Sequence, residues 1–168
     1  MKVLFVLNAF GPASGAEHVL IDFLKTTPEI EPLFLHIGPV KPEINEFLQV
    51  ASSEDCYYVE INTSIMSPLS RQWFMKPIRA DLCRRIRSSK MFENLCERAF
   101  ELVYFNNSFE AASFYPLFEN SNTIVHIHDM VDMFRPAQKK CVLEACGKAG
   151  RVLTASEAWR RMLIKNKI

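Results

Sequence analysis

Short apolar runs alternate with longer amphipathic stretches along the whole chain. Lys2 to Leu7 (KVLFVL) is a continuous apolar run, the pattern of a central strand buried on both faces. The polar stretch Asn8 to Gly15 then makes a turn. Ala16 to Lys25 sets Val19, Leu20, Phe23 and Leu24 at helical spacing. Leu33 to Ile37 predicts a second strand, closed by Gly38-Pro39. Pro42 to Val50 predicts a helix with Pro42 in its first turn, where a missing N–H costs nothing. Tyr57 to Ile61 predicts a third strand, and residues 62 to 72, with Ser64, Ser67, Pro68 and Ser70, a loop.

Pro77 to Phe100 is helical again, as two helices broken near Ser88-Ser89. Leu102 to Phe105 predicts a strand, and Ser108 a cap for a helix that ends before Pro116. Thr123 to His128 (TIVHIH) is a further strand. Phe134 to Lys148 is a helix closed by Gly147 or Gly150, Val152 to Thr154 a last strand, and Ser156 the N-cap of a helix over Glu157 to Ile164. About six strands and six helices in this order predict an α/β fold: a Rossmann-like, doubly wound, mainly parallel sheet with helices on both faces. Ligands of such sheets lie beyond the carboxyl ends of the strands. Asn8–Gly15 and His128-Asp129 are therefore expected to share one crevice.

At 168 residues and 19.4 kDa the chain is expected to form one domain over 1–168. Twenty basic residues against nineteen acidic ones leave a net charge of +1, which removes the bulk electrostatic case for a nucleic-acid partner. No apolar stretch approaches the ~20 residues of a membrane span, and Met1 to Phe10 lacks the cleavage site of a signal peptide. Cys56, Cys83, Cys96, Cys141 and Cys146 are odd in number and lack CxxC spacing. They predict reduced thiols in a cytoplasmic protein, without disulfides or zinc.

Two stretches carry the candidate chemistry. In Asn8-Ala9-Phe10-Gly11-Pro12-Ala13-Ser14-Gly15-Ala16-Glu17-His18, glycines allow a ligand close to the backbone, and the helix that follows offers free N–H groups. A tight strand-to-helix turn without a ligand has equal weight. The stretch is neither a Walker loop nor the dinucleotide fingerprint, because no Gly-Lys-Ser/Thr follows and no glycine lies between Gly11 and Gly15. In the strand TIVHIH, Ile124, His126 and His128 face one way and Val125, Ile127 and Asp129 the other. His128 at the carboxyl end is the candidate to hydrogen-bond a substrate hydroxyl or developing charge, and His126, deeper in the strand, reads as structural. His126, His128 and Asp129 match no common zinc spacing, and Asp129 and Asp132 do not form an Asp-x-Asp pair, so no metal site and no cofactor is expected.

Together, KVLFVLNAF, GPASGAEHVL, IVHIHD and VLTASEAWRRML resemble, in order and spacing, the N-terminal domain of GT-B glycosyltransferases of group 1, the retaining family 4. Ser14 stands where the family usually has the first glycine of a pair, and His18 replaces a common Arg. The resemblance implies a metal-independent transfer of sugar from a nucleotide-sugar to a glycan or lipid-linked acceptor, as in polysaccharide biosynthesis. It implies that this chain is the acceptor-binding half, that a C-terminal donor domain carrying most of the nucleotide-sugar contacts is absent, and that the chain alone is inactive. Carried over residue by residue, it assigns His128 as the catalytic contact to the transferred sugar. Gly11, Ser14, Gly15, Glu17 and Asp129 become substrate-binding candidates. The alternative is a free-standing α/β binding or regulatory module.

One further segment stands out. Arg71 to Arg98 holds eight basic residues against three acidic ones, a local excess of five, with Phe74, Ile78, Leu82 and Ile86 in one apolar stripe. A stripe facing the core with a solvated basic back explains this pattern. A surface built from Arg79, Arg84, Arg85 and Arg87 that docks on an anionic membrane, at its inner face, or holds a phosphorylated or lipid-linked acceptor also explains it.

Overall fold

Six strands form one sheet in the computed structural model, which describes residues 1–8, 15–39, 41, 45–61, 76–128 and 136–168. They are β1 (Lys2–Asn8), β2 (Glu31–Gly38), β3 (Cys56–Glu60), β4 (Leu102–Phe105), β5 (Thr123–Ile127) and β6 (Arg151–Thr154). The order is β3-β2-β1-β4-β5-β6 and every pairing is parallel, with Phe5 opposite both Phe34 and Tyr104, and Tyr104 opposite Ile124. After β1 the sheet grows in one direction and after β3 in the other, so the winding reverses between β1 and β4. That is where doubly wound sheets open a crevice.

The helices are α1 (Gly15–Thr26), α2 (Lys76–Arg87), α3 (Lys90–Glu97), α4 (Ser108–Phe114), α5 (Pro136–Cys146) and α6 (Glu157–Lys165). On one face Leu20, Ile21 and Leu24 of α1 cover Val3, Phe5, Leu7 and Phe34. On the other, Leu4, Val6, Val103, Phe105, Val125 and Ile127 pack with Ile86, Leu95, Ala111, Phe114, Val142 and Trp159. Alternate residues of β1 thus enter two different cores, which is why its sequence is apolar without a break. Among the described residues no helix is long and apolar enough to cross a membrane. The five cysteines are free, and burial pushes the Cys83 thiol up to about 11 and that of Cys146 up to about 12.

The helix break near Ser88-Ser89 and the Ser156 cap stand where the sequence places them. Ser89 accepts from the Phe92 N–H at 3.2 Å at the break between α2 and α3, and Ser156 accepts from the Trp159 N–H at 3.4 Å. Two expectations change. The helix expected over Pro42–Val50 is, in its described part, a single 3-10 turn, Phe47–Gln49. Only Phe47 is buried, edge-on to Phe34 and His36, while Leu48 is exposed, so there is no apolar stripe to hold a helix against the sheet. The cap of α4 is Asn107, whose side chain accepts from the Ser108 N–H at 2.7 Å, and Ser108 is the first helical residue. The helix ends at Phe114, and a 3-10 turn over Tyr115–Phe118 carries the chain through Pro116.

Candidate functional site

Parallel pairing puts the carboxyl ends of β1, β4 and β5 side by side. Asn8 closes β1, Asn106 and Asn107 follow β4, and His128 follows β5. Because β2 starts opposite Lys2, α1 must run back along β1, and its first residue, Gly15, stands at the same edge. Gly15 and His128 are therefore gathered at one rim of the sheet. The rim is tied together by Glu110, in the first turn of α4 and fully buried. The Asn8 side-chain amide donates to Glu110 Oε1 at 2.6 Å and the Asn8 N–H to the same oxygen at 3.1 Å.

Two polar atoms at this rim are buried and have no hydrogen-bond partner among the described residues: Nε2 of His128 and Nδ2 of Asn106. Asn106 is only 2% exposed, and its backbone N–H continues the ladder by donating to the Val6 carbonyl at 3.3 Å. An unmet buried donor or acceptor costs about 1–3 kcal/mol, so a ligand hydroxyl or a water that met these two atoms would recover that cost.

Behind His128 lies His126, on the same face of β5. The two imidazoles are 3.8 Å apart between ring centroids. The Tyr104 hydroxyl of β4 makes a short hydrogen bond with His126 Nδ1. Burial, with the charge of a protonated His128 added to it, lowers His126 to about 4, and burial pushes the Tyr104 phenol up to about 12. At neutral pH both are uncharged.

Gly15 has no positive φ, and a Cβ built on it would meet nothing within 4 Å. Among the described residues, therefore, neither backbone nor neighbours demand a glycine there. Glu17 is buried in the first turn of α1, where an acid suits the helix dipole. His18, the departure from the common Arg, places Nδ1 3.5 Å from Glu46 Oε2. Gly11, Ser14 and Asp129 lie outside the described residues. Among the described residues no group of three or more His, Cys, Asp or Glu is placed to hold a metal ion.

The four arginines of α2 divide in two. Arg79 donates to the Ala112 carbonyl at 2.7 Å and Arg87 to that of Pro116, so both fasten α2 to the end of α4 and the turn after it. Arg84 and Arg85 both pair with Asp81, Arg85 at 2.7 Å, and their side chains stay 77% and 75% exposed. The hydrogen bond from Arg84, aided by Arg85, holds the Asp81 carboxyl below its usual range.

Asn106 and Glu110 are site residues that the sequence does not single out, and Asn8, which opens the candidate loop, has no role assigned from sequence. Asn106 opens an Asn-Asn-Ser run directly after the apolar LVYF, a polar-after-strand pattern like that of His128, but one that reads equally as a helix cap.

A parallel, doubly wound sheet with its polar side chains gathered at the carboxyl rim defines a Rossmann-like α/β protein, and solved GT-B glycosyltransferases share this fold. Anabaena Alr3699/HepE, in complex with UDP, is 16% identical, with a TM-score of 0.62 over 99% of this chain and 41% of that one. The same protein with UDP-glucose gives 16% identity and a TM-score of 0.55 over 98% and 40%. Arabidopsis thaliana UGT89C1 complexed with UDP is 7% identical, with a TM-score of 0.55 over 93% and 43%. At these identities the likeness is one of fold, and the chain spans about two fifths of the length of these neighbours. No protein-family model matches the chain, and no curated protein does.

Proposed function

We propose that the carboxyl-rim crevice holds the sugar of a nucleotide-sugar during transfer to a glycan or lipid-linked acceptor, with His128 and Asn106 on the sugar hydroxyls. The observation that carries this reading is the pair of buried, unpartnered atoms, His128 Nε2 and Asn106 Nδ2, at neighbouring strand ends. It gains weight from a fold shared with proteins whose crystal structures contain UDP and UDP-glucose. Gly15, at the N-terminus of α1, offers backbone N–H groups that suit the diphosphate or the acceptor.

In the transfer, the bond from the anomeric carbon to the diphosphate oxygen breaks, and its electron pair leaves with the nucleoside diphosphate. The acceptor hydroxyl oxygen bonds to the same face of that carbon, with retention, and its proton passes to the departing phosphate oxygen. Positive charge grows on the sugar ring meanwhile. A hydrogen bond from a fixed imidazole orients the ring without forming a covalent intermediate. No protein group in this scheme requires a metal. The chain serves as the acceptor-side, N-terminal half of the transferase, as the resemblance implies.

Chemical-shift titration of the chain with UDP-glucose tests the reading, since it registers the weak binding expected of a half that contacts mainly the sugar. His128→Ala and Asn106→Leu should each weaken binding about tenfold, the loss of one to two hydrogen bonds. Asn106→Leu should leave the thermal midpoint unchanged or raised, since it removes an unmet polar group. Equal affinity in wild type and both variants would overturn the assignment.

A further inference from the structure

A row of rings crosses one face of the sheet and ends at the rim. Phe34 and Phe5 are 5.7 Å apart between centroids, Phe5 and Tyr104 5.3 Å, Tyr104 and His126 5.9 Å, and His126 and His128 3.8 Å. The first two rings are fully packed in the core beneath α1. Tyr104, His126 and His128 are half-buried, and His128 stands one residue past the end of β5. Position is therefore handed from the rigid centre of the sheet to a side chain that has left the hydrogen-bonded ladder.

We propose that Tyr104 and His126 are positioning residues that hold the His128 imidazole in one orientation, through the Tyr104 hydroxyl on His126 Nδ1 and the close, tilted ring contact of His126 with His128. The proposal rests on the reading of His128 as the sugar contact, and it names the device that gives that contact a fixed direction. Nothing in a lone strand-end histidine fixes its ring: a χ2 torsion is broad and roughly two-fold. Here one ring face of His128 is covered by His126, and His126 cannot turn without giving up the tyrosine hydroxyl.

The chemistry of the pair explains why a histidine sits at 126 and not another aromatic. The Tyr104 phenol keeps its proton, so it donates, and Nδ1 of His126 accepts. That assigns the His126 proton to Nε2 and locks one tautomer. It also disfavours a second proton on His126. Among the described residues Leu153 is its uncharged register partner on β6, Tyr104 is the hydroxyl already named, and Arg151, the register partner of Ile124, is the cation of β6 on this face. A phenylalanine at 126 would still meet the His128 ring but would have no anchor, and a phenylalanine at 104 would leave Nδ1 without its donor.

The test uses the whole chain, first without ligand. In nuclear magnetic resonance spectra of the wild type, the His126 ring should show the single tautomer protonated at Nε2, with cross-relaxation between the His126 and His128 rings. Tyr104→Phe should abolish the single tautomer, weaken the inter-ring contact and raise the His126 titration midpoint above about 4. His126→Phe, which keeps the core ring volume, should leave the fold intact while His128 samples two ring orientations. With UDP-glucose, both variants should bind about tenfold more weakly than wild type, the scale on which supporting residues act through a contact group. A Tyr104→Phe protein with the wild-type tautomer, inter-ring contact and affinity would overturn the proposal. If the wild type binds no UDP-glucose, the functional reading fails, while the ring-order measurements on the free protein still decide the positioning of His128.

Discussion

Asn8 and Glu110, more than a hundred residues apart in sequence, meet at the rim of the sheet, where the Asn8 amide and backbone N–H both donate to one buried carboxylate oxygen. This contact joins the end of β1 to the first turn of α4 across the reversal in the sheet's winding. Glu110→Ala leaves two Asn8 donors without their acceptor and should cost about 3 kcal/mol in chemical denaturation. Glu110→Gln retains an acceptor oxygen and should recover most of that loss. Equal stability of all three proteins would show that the contact does not hold the rim together.

Two histidines make the fold sensitive to acid. Burial lowers both His36 and His126 from 6.5 to about 4. Between these values the unfolded chain binds protons that the folded chain does not, so stability falls as pH drops from about 6.5 toward about 4 and changes little from these groups below that. Urea midpoints measured across this window should decline with acid, and His36→Leu should flatten the decline. A midpoint that rises on acidification would contradict the assigned shifts.

The α2 arginines should separate by role. Arg79→Ala removes a charged donor from the Ala112 carbonyl and should destabilise by about 2 kcal/mol, whereas Arg84→Ala, in an exposed pair, should change stability by less than about 0.5 kcal/mol. If this face docks on an anionic surface, Arg84 and Arg85 are the side chains that reach it. The double variant Arg84→Glu, Arg85→Glu should then lose co-sedimentation with anionic vesicles, and wild-type binding should fall with salt. Equal binding of wild type to neutral and anionic vesicles would remove the membrane reading.

Much of this was legible in the chain because the physics is local. The apolar run of β1 needs two covered faces, the spacing of Leu20, Phe23 and Leu24 needs a helix, and Ser89 and Ser156 stand where helices need caps. The misread helix before Val50 shows the limit: Pro42 suits a first helical turn, but among the described residues there only Phe47 is buried, in a single 3-10 turn. His128 was legible as a polar residue ending an apolar strand. Asn106 was not, because Asn-Asn-Ser reads equally as a helix cap, and only burial without a partner sets it apart. Glu110 looks like any first-turn acid until Asn8 is brought to it from the far end of the chain. The arginines have similar spacing and composition, and their division into tied and free depends on carbonyls that only the tertiary fold supplies.

The most direct measurement of the claim that the carboxyl rim is the sugar site is a backbone and imidazole chemical-shift titration of the chain with UDP-glucose. Saturable shifts are predicted at Gly15, Asn106 and His128, lost in His128→Ala. Shifts confined to the groove between β6 and α6, at Leu153, Leu163 and Ile164, or no saturable shift at all, would contradict it.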